Sequence, residues 1–147
     1  MNSWRKTLRH SPLLAPIIAL VLWTFVMWAW LYTTRIPALR KARAKLDPQQ
    51  TKEEFNAQIP APTRWKADNY NHLHEQPTLF YAVALTLAML GADGLVDIAL
   101  AWSYVALRIS HSLVQSTTNI IMRRFVLFVM ASLVLFALTI RAALLVL

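Results

Sequence analysis

Cysteine is absent from this chain of 147 residues, and glycine occurs only at Gly91 and Gly94. Without cysteine there is no disulfide, no thiolate metal ligand and no cysteine nucleophile. Two glycines are too few for a glycine-rich phosphate loop or for close glycine-mediated packing of membrane helices. Charge is scarce too. Asp, Glu, Lys and Arg make up 15% of the residues, against about 25% in soluble domains. Hydrophobic residues reach 57%, above the ~45–50% of soluble chains. A soluble fold of one-domain length could not hide that much apolar surface, whereas a lipid-facing surface need not hide it.

The net charge is +8. Eight of the fifteen basic residues lie between Arg35 and Lys66, beside an apolar run, and no nucleic-acid motif accompanies them. Nucleic acid is therefore not an expected partner. The basic run from Arg40 to Lys45 suits anionic headgroups instead, at roughly 1 kcal/mol per residue.

The apolar runs predict an all-α chain, a single four-helix transmembrane bundle over residues 1–147. Residues 11–34 carry no charge, which is 24 residues, and a spanning helix needs about 20. A cleaved signal peptide would have a core of about 7–15 residues ending at a small-residue site. This run is longer and ends in Trp28, Trp30 and Tyr32, which suit an interfacial belt. The expected spans are 12–34, 76–92, 95–119 and 125–146. Pro77 fits the first turn of the second, where a missing N–H is harmless. Gly91-Ala92-Asp93-Gly94 reads as a tight turn before the third. Arg123 and Arg124 mark a turn before the fourth. Arg141 interrupts that last run, where its head group can snorkel to water.

Lys and Arg counts set the orientation. Loop 35–75 carries eight basic residues, and Arg123 and Arg124 fall on the same side, which is expected to be cytoplasmic. Arg5, Lys6, Arg9, Asp93 and Asp97 fall opposite, so both termini are expected outside. Within the loop, Asp47-Pro48-Gln49-Gln50 reads as a helix start, with Asp47 as cap, Pro48 at the first position and Gln50 completing a capping box. Ile59-Pro60-Ala61-Pro62 ends that helix, and Thr63 is expected to cap the next.

The third run holds the informative pattern. Arg108, His111, Gln115 and Asn119 are spaced by three, four and four, and fall within an arc of about 80°. An arginine in mid-span costs about 2.5–3.5 kcal/mol on insertion scales. The stripe must face a bundle interior, a subunit interface or a wet cavity. It is either a self-satisfying packing network or one wall of a ligand cleft. A second polar cluster precedes the second span. Asp68, His72 and Glu75 share a helix face, with Asn69, Asn71 and His74 close by. Glu75 either complements a helix dipole or binds a ligand. His72 and His74 are two apart, on different faces, and no His-Glu-x-x-His occurs, so no metal site is expected. Ser110 and Ser112 flank His111 without a Gly-x-Ser-x-Gly elbow, which disfavours a serine hydrolase.

Arg108-Ile109-Ser110-His111 on the third of four spans, Glu75 at the start of the second and Arg124 after the third together resemble the MAPEG family, membrane-associated proteins in eicosanoid and glutathione metabolism. The stretch from Asn69-Tyr70-Asn71-His72-Leu73-His74-Glu75 through Gln76-Pro77-Thr78-Leu79-Phe80-Tyr81 is similar to its bacterial members in particular. The resemblance covers most of the chain from about Pro60. It implies a homotrimer of four-helix bundles in a bacterial inner membrane, with glutathione bound between adjacent subunits near the cytoplasmic face. On that resemblance, Glu75, His72, Asn71, Arg108, His111, Gln115 and Arg123 form the glutathione site. Glu75 would face the ammonium and arginines the two carboxylates, with Arg124 beside the thiol as the catalytic group. The implied activity is a glutathione-dependent transferase or peroxidase acting on apolar electrophiles or lipid peroxides. The alternative is a non-catalytic lipid-binding or scaffold protein of the same fold. This chain departs from the family pattern at three positions. Gln115 stands where prostaglandin-synthase-like members have tyrosine, His72 where many have asparagine, and Asp68 where many have arginine. A tyrosine-based activation of the thiol does not carry over.

Overall fold

A computed structural model describes residues 11–45 and 47–147. Arg5, Lys6 and Arg9, which entered the orientation count, lie outside the described residues. Among the described residues six α-helices follow in order: α1 (Leu14–Ala42), α2 (Lys52–Ala57), α3 (Ala61–His72), α4 (Gln76–Met89), α5 (Leu95–Thr117) and α6 (Ile121–Val146). No strand occurs among the described residues. Among the described residues two helices, α1 and α6, are long and apolar enough to cross a membrane. The helix α4 has 14 residues, about 21 Å at 1.5 Å per residue, short of a hydrocarbon core of about 30 Å.

The first helix runs well past the uncharged segment. Pro37 lies inside it, where a proline removes one backbone bond and crowds the carbonyl four residues back. The hydroxyls of Thr33 and Thr34 donate to the carbonyls of Ala29 and Trp30, both at 2.8 Å, a back-bonding pattern that accompanies helix bending. The helix ends at Arg43, in the left-handed region at φ 47°.

The loop helices start elsewhere than Asp47 and Thr63. Thr51 caps α2. Its hydroxyl accepts from the Glu54 N–H at 3.2 Å, and the Glu54 carboxylate accepts from the Thr51 N–H at 2.7 Å. Thr51-Lys52-Glu53-Glu54 is a fuller capping box than the Asp47 segment, because its third position carries a carboxylate. Asp47 instead accepts from the N–H of Gln49 at 2.9 Å, a local Asx turn. Pro60 is the N-cap residue of α3, and Pro62 sits in its first turn, which a proline favours. Thr63 is therefore inside the helix, and buried.

The polar residues near the last two helices are also rearranged. The α5 helix ends at Thr117, and Asn119 takes φ 51°, a conformation asparagine tolerates. Arg123 and Arg124 lie in the first turn of α6, not in the turn before it. Arg141 does not snorkel free. Its Nε and Nη2 grip both carboxylate oxygens of Asp97, the Nη2 bond at 2.9 Å. Asp97 is 1% exposed inside the first turn of α5, and a buried carboxylate demands such a partner.

One apolar core joins Leu20 of α1, Phe80 and Leu87 of α4, Tyr104 and Val105 of α5, and Leu135 and Leu138 of α6. Phe80 stacks on Tyr104 with ring centroids 4.5 Å apart. Many large apolar side chains still point outward, Phe25 on α1 and Leu133 and Phe136 on α6 among them. Such a surface suits lipid or a neighbouring chain. Along its length α5 packs on α6, while α3 lies against both α1 and α5. That placement of α3 brings the second polar cluster up to the stripe on α5.

Candidate functional site

On α5 the spacing of three and four residues turns one face inward. Arg108, His111, Ser112, Gln115 and Ser116 are all buried there. The end of α3 meets this face. Asn69 donates from Nδ2 to the Ser112 hydroxyl at 2.7 Å. Arg108 donates from Nη2 to the carbonyl of His72 at 2.9 Å. His72 is the last residue of α3, so its carbonyl is one of the orphan acceptors at a helix C-terminus, where a cation is favoured. The Arg108 guanidinium is 1% exposed, and its Nε and Nη1 have no partner among the described residues.

Beyond Arg108 the two imidazoles meet. The rings of His72 and His111 lie 5.0 Å apart by centroid. Phe128 on α6 stacks on His72 at 5.5 Å and 27°, and sits 6.4 Å from His111. Nδ1 of His72 contacts Oε2 of Glu75 at 2.6 Å. These two imidazoles and Arg124 border an open-sided cavity of ≈250 Å³, completed by Ile121, Phe125 and Phe128. Arg124 donates from Nη1 to Oδ1 of Asn119 at 2.7 Å, and its buried Nε has no partner among the described residues. A guanidinium with a free nitrogen and two imidazoles on one cavity wall can hold an anion or move a proton.

The sequence-predicted residues divide. His72, Glu75, His111 and Arg124 come together around the cavity, Glu75 through its contact with His72. Arg108 lies behind the wall and reaches the site through the His72 backbone. Gln115 is buried on the same α5 face but does not line the cavity, and its Oε1 is unpartnered among the described residues. Asn119 leaves the helical stripe and instead holds Arg124. Asn71 is exposed and borders a different cavity of ≈320 Å³, with Tyr32, Arg35 and Asp68. Neighbouring residues on a helix point about 100° apart, so Asn71 and His72 cannot share a wall. Arg123 is exposed, for the same reason beside Arg124. Three lining residues escaped the sequence reading: Ile121, Phe125 and Phe128. Their i, i+4, i+7 spacing was visible as one helix face, but lipid-facing stripes look the same.

Away from the cavity, Lys66 of α3 donates to the Pro62 carbonyl at 2.9 Å and lies over the Trp30 ring at 5.1 Å. Burial pushes its ammonium below the usual lysine range.

A sequence model described as the MAPEG family matches residues 13–144. Comparison with curated proteins and with solved structures found no match.

Proposed function

The chain belongs to the MAPEG family, a membrane family of glutathione-related transferase and peroxidase type, and from that membership we propose that it is a glutathione-dependent transferase or peroxidase acting on apolar electrophiles or lipid peroxides. The observation that carries this reading is the cavity shared by His72, His111 and Arg124, drawn from three separate segments. Glutathione bears two carboxylates, an ammonium and a thiol. The Arg124 guanidinium on the cavity wall and the Glu75 carboxylate beside His72 supply the complementary charges, and Arg108, buried behind the wall, adds positive potential, so these residues fit it. Glutathione brings the nucleophilic sulfur, and the chain orients and deprotonates it.

Arg124 is the residue proposed beside the sulfur. Lowering a thiol pKa by about two units takes about 2.7 kcal/mol. One guanidinium at about 4 Å, at an effective dielectric near 20, offers about 4 kcal/mol before desolvation. No tyrosine is then required, in keeping with Gln115. The apolar substrate arrives from the bilayer past Ile121 and Phe125, both well exposed on the open side of the cavity.

The same reading includes four spans over 12–34, 76–92, 95–119 and 125–146, with both termini outside a bacterial inner membrane. Residues 76–92 are 17 residues, at the lower end of the ~17–25 a spanning helix uses. It also includes a homotrimer. A cavity of ≈250 Å³ falls below the ~300–1,000 Å³ usual for ligand sites, and a second protomer would close its open side.

The test is thermal unfolding of the detergent-purified protein with glutathione and with a thiol-free analogue. Ligand at about 100 times its Kd is expected to add about 2.7 kcal/mol by mass action. Arg124→Ala is expected to lower the conjugation rate at least about tenfold, equivalent to about 1.4 kcal/mol. No thermal shift at millimolar glutathione favours the scaffold reading. Full conjugating activity in Arg124→Ala removes Arg124 from the mechanism.

A further inference from the structure

We propose that His72 is the base that takes the thiol proton, and that Glu75 is its positioning residue. This rests on the glutathione reading above and deepens it. The observation is the 2.6 Å contact between His72 Nδ1 and Glu75 Oε2. An ionised carboxylate can only accept, so Nδ1 carries the hydrogen and the free lone pair of the neutral ring lies on Nε2. A base held by a carboxylate is the arrangement that activates hydroxyl and thiol nucleophiles on unrelated folds. The ring is fixed from two further directions. Phe128 stacks on it, and Arg108 holds its backbone carbonyl. Nε2 has no partner among the described residues, and the ring borders the cavity that holds Arg124.

The charged and titratable groups around His72 are Glu75 from the turn after α3, His111 from α5, Arg124 from α6, and Arg108 at its carbonyl. His111 is the competing base. Its Nδ1 is buried without a partner among the described residues, so nothing sets its tautomer or offsets the charge of its protonated form. His72 has Glu75 for both tasks. A guanidinium has no acceptor at all, which leaves Arg108 and Arg124 to hold charge and His72 to move the proton.

Nε2 of His72 takes the proton as the S–H bond breaks, and the electron pair stays on sulfur beside Arg124. That pair forms the bond to the electrophilic carbon of the apolar substrate. The leaving group departs with its own bonding pair, as chloride from an aryl chloride, and the protonated His72 ring releases its proton to water. No oxidant or reductant enters this transfer.

The experiment uses the full chain in detergent, with glutathione, S-methylglutathione and chlorodinitrobenzene as electrophile. Affinity for S-methylglutathione is read by calorimetry, the thiolate of bound glutathione by its ultraviolet absorbance against pH, and turnover by kcat and KM. His72→Asn is expected to retain S-methylglutathione affinity while kcat falls about 100-fold at neutral pH, within the range of general-base catalysis. The thiolate band should move to higher pH, and the rate deficit should shrink as hydroxide replaces the lost base. Glu75→Gln should lower kcat and move the thiolate band in the same direction to a smaller degree, with weaker S-methylglutathione binding because its carboxylate also meets the ammonium, and His111→Gln should leave the thiolate band in place. Should His72→Asn and Glu75→Gln weaken S-methylglutathione binding while kcat and the thiolate band hold, the pair grips the ligand and is not the base. A wild-type protein that binds glutathione with a thiolate band indifferent to His72 overturns this inference alone. A wild-type protein that binds neither ligand overturns the glutathione reading and this inference with it.

Discussion

Arg108 is the side chain whose environment is hardest to explain by packing alone. It is 1% exposed, makes one hydrogen bond to a backbone carbonyl and leaves two nitrogens unpaired among the described residues. A hydrogen bond from a charged donor contributes about 1.5–3 kcal/mol. Desolvating an incompletely paired charge costs several kcal/mol. The second effect is the larger, so Arg108 is retained at the expense of stability. Arg108→Met is accordingly expected to unfold within about 1 kcal/mol of wild type, or above it, since apolar replacements of buried ions are often neutral or stabilising. The same variant is expected to lose the thermal shift given by glutathione. Unfolding measured with and without ligand checks both halves, and a large loss of stability in the apo variant would make Arg108 a structural residue. At this scale the sequence was partly legible. Burial of Arg108, His111 and Gln115 on one face followed from spacing and from the expense of charge in an apolar helix. That Arg108 would end on the His72 carbonyl did not follow, because the contact spans 36 positions and depends on how α3 docks.

Between elements, the bond from Arg141 to Asp97 joins the end of α6 to the start of α5. It lies at the opposite end of α5 from the cavity, so it holds the register of the α5–α6 pair without touching the site. Asp97 is buried and Arg141 is half-open to its surroundings, which makes the two ends unequal. Asp97→Ala leaves a largely hydrated guanidinium, whereas Arg141→Ala strands a buried carboxylate. Arg141→Ala is therefore expected to lower Tm more than Asp97→Ala, and the double variant is expected to recover part of the loss. Melting curves of the three variants check this, and strict additivity would show that the pair does not interact. Composition and hydropathy made the helical class legible. The ion pair was not legible, since Asp97 and Arg141 each looked like an interfacial charge on its own. The helix starts in the basic loop were misplaced for a related reason. Asp47-Pro48 and Thr51-Lys52-Glu53-Glu54 are competing caps four residues apart, and only the second satisfies both orphan N–H groups with oxygens.

The whole molecule carries an apolar outer surface on α1 and α6, a basic loop, and, at the end of α5 nearest that loop, a largely apolar cavity that holds two imidazoles and a guanidinium. Family membership and the two long apolar helices make it a membrane protein. On the proposed reading, the cavity is where a water-soluble thiol and an apolar partner from the bilayer meet. The proposed homotrimer rests on resemblance alone, because a subunit interface and a lipid-facing surface have the same apolar composition. The central claim is that the cavity of His72, His111 and Arg124 is a glutathione site. Calorimetric titration of glutathione into the purified protein tests it most directly. Saturable binding with one site per protomer, weakened in Arg124→Ala, is the predicted result, and a titration without saturation at millimolar glutathione would contradict it.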